Sequence, residues 1–226
     1  MTQTAHLHTA GDGGVIPFSN LGANNGWIEV TDTWSYASAS TITVPTDATL
    51  KYRSGLPIRW KQGGAYKYGV IRTVAATLIT LFSTTDYTVA NSAITDISYS
   101  LSEKPFGFPI YFNFTFTSIT YSGGTTDPTS NTVSVASWRV RGLDMFINME
   151  SVLVRGTGNR TIILYTLPFT LNSARVYIWN GMDTITAAPL IIQPKSCYVD
   201  PGNIINYIQT MANNGSIWFS GSAPIL

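Results

Sequence analysis

Two histidines near the start of the chain have the spacing of metal ligands. His6 and His8 are the only histidines among 226 residues, and side chains two positions apart in an extended segment point to the same side. Two imidazoles cannot complete a site, but three copies around a threefold axis supply six nitrogens, enough for an octahedral transition metal. The pattern therefore allows a metal site at a trimer axis. The simpler interpretation is a polar arm without metal, and no other cofactor is predicted.

The rest of the chain offers little for catalysis. It contains no histidine, so neither a Ser-His-Asp nor a Cys-His arrangement can form there. Cys197 is the single cysteine and stands in an apolar, strand-like run, where we expect it to be buried and inert. Asp144 and Glu150 share a predicted strand face about 20 Å apart, whereas the two carboxylates of a glycosidase stand about 5–9.5 Å apart. We therefore predict a protein that is not an enzyme.

Six basic residues and no acidic ones lie between positions 51 and 72, which is the strongest charge feature of the sequence. They are Lys51, Arg53, Arg59, Lys61, Lys67 and Arg72. One interpretation is an anion-binding patch for nucleic acid, a polyanionic glycan or an acidic protein. The sequence favours the other interpretation, a solvated strand face near Asp47, Asp86 and Asp96. We therefore expect no nucleic-acid partner.

Three aromatic residues are interleaved with these charges. Trp60, Tyr66 and Tyr68 alternate with basic residues along their strands, and successive side chains of a strand point to opposite faces. We therefore expect these three rings on the buried face, as core residues and not as a stacking platform.

The composition indicates an all-β protein with a hydroxyl- and amide-rich surface. Hydrophobic residues make up 44% of the chain and charged residues only 11%, well below the roughly 25% of an ordinary soluble protein. The net charge of +1 gives no general attraction to nucleic acid or to anionic membranes. No apolar run approaches the roughly 18 residues of a membrane span, and the first residues lack the pattern of a signal peptide. We expect synthesis in a cytoplasm and no membrane partner.

The distribution of glycine, proline and alternating apolar residues divides the chain into four parts. Residues 1–24 are rich in glycine and predict an extended N-terminal arm, which we expect another subunit or protein to clasp. Residues 25–103 predict a small β-barrel-like domain, with a hairpin around Gly63 and Gly64. Residues 104–110 form a proline- and aromatic-rich hinge, and residues 111–226 predict a jelly-roll-like antiparallel β-sandwich.

The hinge is the organising segment of this division. Pro105 and Pro109 stiffen the backbone, and five aromatic residues between Lys104 and Phe114 favour burial. We expect this segment to pack against both neighbouring bodies and to set the angle between them.

Several short runs resemble modules of structural proteins from tailed bacteriophages and prophages. The arm carries Gly11-Asp-Gly-Gly-x-Ile-Pro beside the His-x-His pair, as in phage fibre-type proteins. The remaining runs are Thr41-Ile-Thr-Val-Pro, Gly55-Leu-Pro-Ile-Arg-Trp-Lys-Gln, Tyr66-Lys-Tyr-Gly-Val-Ile, Asp86-Tyr-Thr-Val-Ala-Asn-Ser-Ala-Ile-Thr-Asp and Pro105-Phe-Gly-Phe-Pro. The resemblance spans roughly residues 6–116 and implies a virion location, with a small β-domain leading through a hinge into a C-terminal sandwich.

These observations together predict a homotrimeric surface appendage of a virion, anchored to other virion proteins through its arm. As a tail-fibre protein it would bind a host-surface glycan, with Trp138, Trp179, Trp218, Tyr165 and Tyr177 as the aromatic residues available for stacking. The alternative is a capsid decoration or head-fibre protein that stabilises the capsid. A glycan-cleaving tail spike is disfavoured because the chain is short and shows no carboxylate pair.

Overall fold

The computed structural model describes residues 25–122, 130–142, 144–154, 161–168, 177–185, 191–199, 204–209 and 215–224. Side chains are described over residues 25–120, 132–142, 144–152, 165–168 and 220–224. The N-terminal arm, and with it the predicted metal site at His6 and His8, lies outside the described residues.

The described chain is all-β, as the composition predicts. Its strands form two antiparallel sheets, and a 3-10 turn lies at Ala48–Leu50. Asp47 caps this turn by accepting hydrogen bonds from the backbone N–H and the hydroxyl of Thr49. Within the same ranges, no helix has the length and apolar character that a membrane crossing requires.

The first sheet has seven strands in the order β1-β7-β4-β5-β6-β3-β2. They are β1 (Ile28–Glu29), β2 (Ser35–Ser38), β3 (Thr41–Thr43), β4 (Pro57–Gln62), β5 (Ala65–Ala75), β6 (Leu78–Leu81) and β7 (Thr95–Tyr99). The long strand β5 pairs with β4 through its first half and with β6 through its second, and its register shifts between Ile71 and Thr73. The outermost strands β1 and β2 are consecutive in the chain. Residues from all seven strands or directly beside them enter one hydrophobic cluster, so the sheet curls around a shared core, as a small barrel does.

The turn between β4 and β5 confirms the predicted hairpin. Gly63 and Gly64 form the two-residue loop, with φ of 60° and 83°. Both values lie in the left-handed region that a type I′ turn needs at its two central positions, and glycine adopts it at no steric cost. This turn sets the register in which β5 lies against β4, and that register matters for the charged residues described below.

The second sheet has nine strands in the order β8-β10-β11-β16-β13-β14-β15-β12-β9. They are β8 (Phe112–Asn113), β9 (Ser118–Ser122), β10 (Ser130–Arg141), β11 (Asp144–Val154), β12 (Thr161–Thr166), β13 (Tyr177–Ile185), β14 (Ile191–Val199), β15 (Ile204–Gln209) and β16 (Gly215–Pro224). Strands β13, β14 and β15 follow one another, and β16 returns beside β13, which is the Greek-key order. The antiparallel β-sandwich predicted from the alternation is therefore confirmed.

One bent segment joins the two ends of this sheet. Strands β8 and β9 are the outermost in the order, yet only residues 114–117 separate them. Within that link the Phe114 N–H donates to Ala136 O of β10 at 3.0 Å, and the Thr117 N–H donates to Thr166 O of β12 at 2.9 Å. The segment thus crosses from one edge of the sheet to the other and folds the sheet back on itself.

The inner faces of the sandwich strands follow the predicted alternation. Phe112, Phe114 and Phe116 are all buried, as the period of two in this segment predicts. They meet buried residues from facing strands, namely Trp138, Met145, Ile147, Met149, Tyr165 and Ala223. The same hydrophobic cluster also contains Val70 and Phe82 of the first sheet.

A chain of aromatic contacts, here called the junction, connects the two sheets. Phe108 of the hinge lies 5.9 Å from Trp27 and 5.5 Å from Phe112 between ring centroids. Phe112 stacks on Trp138 at 4.6 Å with 19° between the ring planes, and Trp138 lies 5.6 Å from Phe82. The hinge therefore packs against both bodies, as the sequence predicts.

Burial within the hinge is uneven. Phe112 and Phe114 are buried and Phe108 is half-buried, but Phe106 is 82% exposed and Tyr111 is 41% exposed. Gly107 has a φ of 76°, and the Phe108 N–H donates to Pro105 O at 3.0 Å. This tight turn directs the Phe106 side chain to the surface, so the expectation that all five aromatics are buried was wrong for Phe106 and Tyr111.

Replacing Phe112 by alanine is expected to destabilise both sheets together. Phe112 contacts aromatic residues of both bodies, and removing a buried phenyl ring costs about 3–5 kcal/mol. Differential scanning calorimetry should show a single transition at a lower temperature. Phe106→Ala, in the same segment but exposed, is the matched control and should change stability by no more than about 0.5 kcal/mol. Two separate transitions, of which only one shifts, would contradict the shared core.

Candidate functional site

The register of the β4–β5 hairpin decides where the predicted basic patch lies. Arg59 is directly opposite Tyr68, and Lys61 is directly opposite Tyr66. Directly paired residues of an antiparallel sheet share a face, so the two tyrosines lie on the face of these charges. The prediction that they lie on the opposite, buried face was therefore wrong, although it holds for Trp60, which is fully buried.

The charged groups of this face are already engaged within the molecule. The Arg59 guanidinium lies 4.7 Å from the ring centroid of Trp27 and 5.1 Å from that of Tyr66. The Lys61 ammonium lies 3.3 Å from a carboxylate oxygen of Asp96. This pairing agrees with the interpretation as a solvated face, in which Asp96 is one of the expected neighbours.

The other basic residues have different surroundings. Lys67 is directly opposite the buried Trp60, and its ammonium donates to Thr88 O at 2.6 Å. Lys51 lies 3.6 Å from a carboxylate oxygen of Asp32. Arg53 is exposed and Arg72 is partly buried.

Two of the three acids expected near the basic residues are engaged elsewhere. Asp47 accepts the two hydrogen bonds from Thr49 already described, and these bonds lower the pKa of its carboxyl group. Asp86 accepts from the Asn113 N–H at 2.6 Å and from its amide nitrogen at 3.0 Å. Asp86 therefore connects the first body to Asn113 of β8 by hydrogen bonds and does not neutralise the basic residues.

The sandwich tryptophan whose side chain is described is a core residue. Trp138 is fully buried, its indole N–H donates to Ser83 O at 3.0 Å, and its ring stacks on Phe112. Tyr165 is also fully buried. The prediction that these rings are available for glycan stacking was therefore wrong. Trp179, Trp218 and Tyr177 lie in described strands, but their side chains are outside the described part.

A different surface of the sandwich has the shape and chemistry of a binding site. It is a cavity of about 340 Å³ on the outer face of β10, β11 and β16, and we call it the Arg139 cleft. Its lining residues are Tyr111, Arg139, Phe146, Asn148, Ser220, Gly221 and Ser222.

Sheet register explains why these residues lie together. Arg139 is directly opposite Phe146, which in turn is opposite Ser222. One step along the same face, Asn148 is opposite Ser220. The alternate residues Trp138, Met145 and Ile147 point inward and are buried. The outer face thus carries a row of cationic and aromatic groups beside a row of amide and hydroxyl groups.

Arg139 is the central charged group of the cleft. Its guanidinium lies 5.2 Å from the ring centroids of both Tyr111 and Phe146. Its Nε is buried and has no hydrogen-bond partner among the described residues, and no ion pair to Arg139 occurs in the described part of the chain. The two rings hold the guanidinium in place by cation–π attraction while leaving hydrogen-bonding capacity unused.

A second cavity of about 250 Å³ shares Arg139 and runs along the hinge. Its charged lining residues are Glu103, Lys104, Arg139 and Arg141. Three basic groups and one acidic group line this cavity, so their charge balance favours a negatively charged ligand. The sequence analysis did not find this cluster, because Glu103 and Lys104 lie at the start of the hinge while Arg139 and Arg141 lie on strand β10.

Comparison with protein-family models, with curated proteins and with solved structures found no match for this chain. Among the described residues, no group of three or more histidine, cysteine, aspartate or glutamate side chains is placed to hold a metal ion. The Arg139 cleft is therefore interpreted from its own chemistry alone.

The buried residue Tyr52 of the first body predicts a pH dependence of stability. Tyr52 is buried and makes edge contacts with Trp34 and Tyr99. Burial, followed by the negative charge of Asp32, raises the pKa of the Tyr52 hydroxyl well above its ordinary value. A raised folded-state pKa stabilises the fold below the ordinary tyrosine pKa of about 10, and that stability is lost as pH rises beyond it.

We therefore expect the melting temperature to fall as pH rises from about 9.5 to 11, with Tyr52 as one cause. The fall should be smaller in Tyr52→Phe, which keeps the ring and removes the titrating group. Tyr36→Phe, at a position where the ring is partly exposed, serves as the control and should follow the parent protein. Equal slopes for all three proteins would show that Tyr52 does not titrate abnormally.

Proposed function

We propose that this chain is a non-enzymatic structural protein of a tailed-bacteriophage virion, a homotrimeric surface appendage that binds the host surface through its sandwich. The arm of residues 1–24 is the proposed anchor to other virion proteins. The observation that carries the host-binding part is the Arg139 cleft on the outer face of the sandwich. The short runs that resemble phage structural modules support the virion part.

The chemistry of the cleft suits a sugar. A sugar ring offers hydroxyl groups around its rim and apolar C–H groups on its face. Asn148 and Ser220 provide amide and hydroxyl groups for the rim, and the 41% exposed ring of Tyr111 provides a surface for the face. A volume of about 340 Å³ lies at the lower end of the range for small-molecule sites.

The position of the cleft suits a binding site that must be held at a fixed angle. Three adjacent strands supply all lining residues except Tyr111, and sites on strands are held more accurately than sites on loops. Tyr111 is the residue between the hinge and Phe112 of the junction. The barrel, nearest to the proposed anchor, is thereby connected to the cleft through packed aromatic rings.

A second candidate function, capsid decoration, is favoured by one specific observation. Leu101, Phe106 and Ile110 lie close together in sequence and are 64%, 82% and 65% exposed. Contiguous exposed apolar patches mark surfaces that contact other proteins, and we infer that these three residues belong to such a patch. In a decoration protein these residues would pack against neighbouring virion subunits, and the sandwich would be passive. A glycan-cleaving spike stays the least favoured proposal, since the side chains that line the Arg139 cleft include no carboxylate.

Immunogold electron microscopy of virions, with antibody raised against the purified chain, separates the two candidates. The host-binding proposal predicts label at the tail. Label spread over the capsid would overturn it in favour of decoration, and absence of label from every particle would overturn both.

The cleft itself is tested with variants that change its polar rim and its aromatic wall. Tyr111→Ala and Asn148→Ala should each weaken binding of the purified protein to host cells by about 3- to 10-fold, since each removes a contact group from the site. Leu50→Ala, which shortens an 86% exposed side chain of the barrel, is the control. Unchanged binding by both cleft variants, with circular dichroism showing intact folds, would rule out this surface as the host-binding site.

A further inference from the structure

We propose that the Arg139 cleft selects sugars that carry an acidic group, a carboxylate or a phosphate, over neutral sugars. This inference rests on the proposed host-binding function and names the class of its ligand. It depends on Arg139, on the two rings that hold it and on the charges of the neighbouring cavity.

The first step of the argument is the state of the guanidinium. An arginine on a protein surface is usually paired with a carboxylate or fully solvated, because its five N–H groups all require acceptors. The Nε of Arg139 is buried and has no partner among the described residues. A buried donor without an acceptor costs free energy. A ligand oxygen can reach this Nε only if the covering side chains move, so the first contact of an acidic group would be with the terminal N–H groups of the guanidinium.

The second step is the geometry that the two rings impose. Arg139 lies over Tyr111 and Phe146 at the same distance, 5.2 Å from each ring centroid. Because the rings limit its movement, little further side-chain entropy is lost when a ligand binds. A held, planar guanidinium matches the paired oxygens of a carboxylate or phosphate, to which it donates two parallel hydrogen bonds.

The third step is the local balance of charge. The cleft itself has no acidic lining residue, and the cavity that shares Arg139 adds Lys104 and Arg141 against the acid Glu103. Asp144 is directly opposite Arg141 in the sheet and is a second acid on this face. The three basic groups still outnumber the two acids, so the local balance favours an anionic group over a cationic one. The hydroxyl and amide row formed by Asn148 and Ser220 remains available for the neutral part of the same sugar.

The experiment is a glycan array carrying uronic-acid, sialic-acid, phosphosugar and neutral oligosaccharides, probed with the full-length protein. Binding should be confined to the acidic groups and should weaken as salt rises from about 50 to 500 mM, because ions screen the attraction. Comparison of the carboxylate and phosphate spots identifies which acid is preferred. A carboxyl-reduced form of each bound uronic acid, neutral but otherwise the same, should bind at least about tenfold more weakly.

The variant test uses Arg139→Gln against Arg53→Gln, which removes the same charge from an exposed position on the barrel. Arg139→Gln should weaken binding of acidic oligosaccharides by about 10- to 100-fold. Arg53→Gln should bind them as the parent protein does. Arg139→Lys, which keeps the charge and loses the planar fork, should lie between the two. It also keeps the experiment decisive if Arg139→Gln fails to fold.

Two outcomes separate this inference from the proposed function. Binding of neutral glycans that depends on Tyr111 or Asn148 but not on Arg139 would overturn the acidic-sugar inference and leave host binding in place. No binding to any glycan or to host cells would overturn both.

Discussion

The stack of Phe112 on Trp138 is the contact on which the rest of the molecule depends. Phe112 is the first residue of β8, and Trp138 belongs to β10, with which β8 pairs. The pair therefore lies at the start of the sandwich. Trp138 also contacts Phe82, and Phe112 also contacts Phe108. Because side chains in a core are packed as densely as in a crystal, neither sheet can shift against the other without opening the contacts of Trp138 with Phe82 and of Phe112 with Phe108.

Both sheets solve the problem of unpaired strand edges in the same way. In each of them the two outermost strands are consecutive in the chain, β1 with β2 in the barrel and β8 with β9 in the sandwich. β1 and β8 are also only two residues long. Short edges joined by a brief link offer little backbone to another strand, which protects a β-rich protein from edge-to-edge aggregation. This protection matters for a chain that has few charged residues to keep its copies apart.

Local patterns in the sequence predicted the parts of the fold that depend on neighbouring residues. The glycine pair of the β4–β5 turn, the alternation from Phe112 to Phe116 and the packing of the hinge all follow from short-range rules. The side on which Tyr66 lies does not, because it depends on which residue of β4 is opposite it. Trp138 is a residue type that can stack on sugars, but the alternation of side chains along β10 places its ring in the core. Arg139 was missed because its site needs three strands in register and Tyr111, which follows the hinge, and no periodicity within a single segment encodes that arrangement.

The adjacency of Trp138 and Arg139 has a mechanical consequence. Successive residues of a strand point to opposite faces, so Trp138 is locked into the junction while Arg139 faces the cleft. Their Cα atoms are separated by one peptide unit, about 3.8 Å. Tension applied to a ligand held by Arg139 passes into the packed core between the two bodies through that single unit. Under the proposed function, a ligand that pulls on Arg139 would therefore load the buried Trp138 ring and its contact with Phe82.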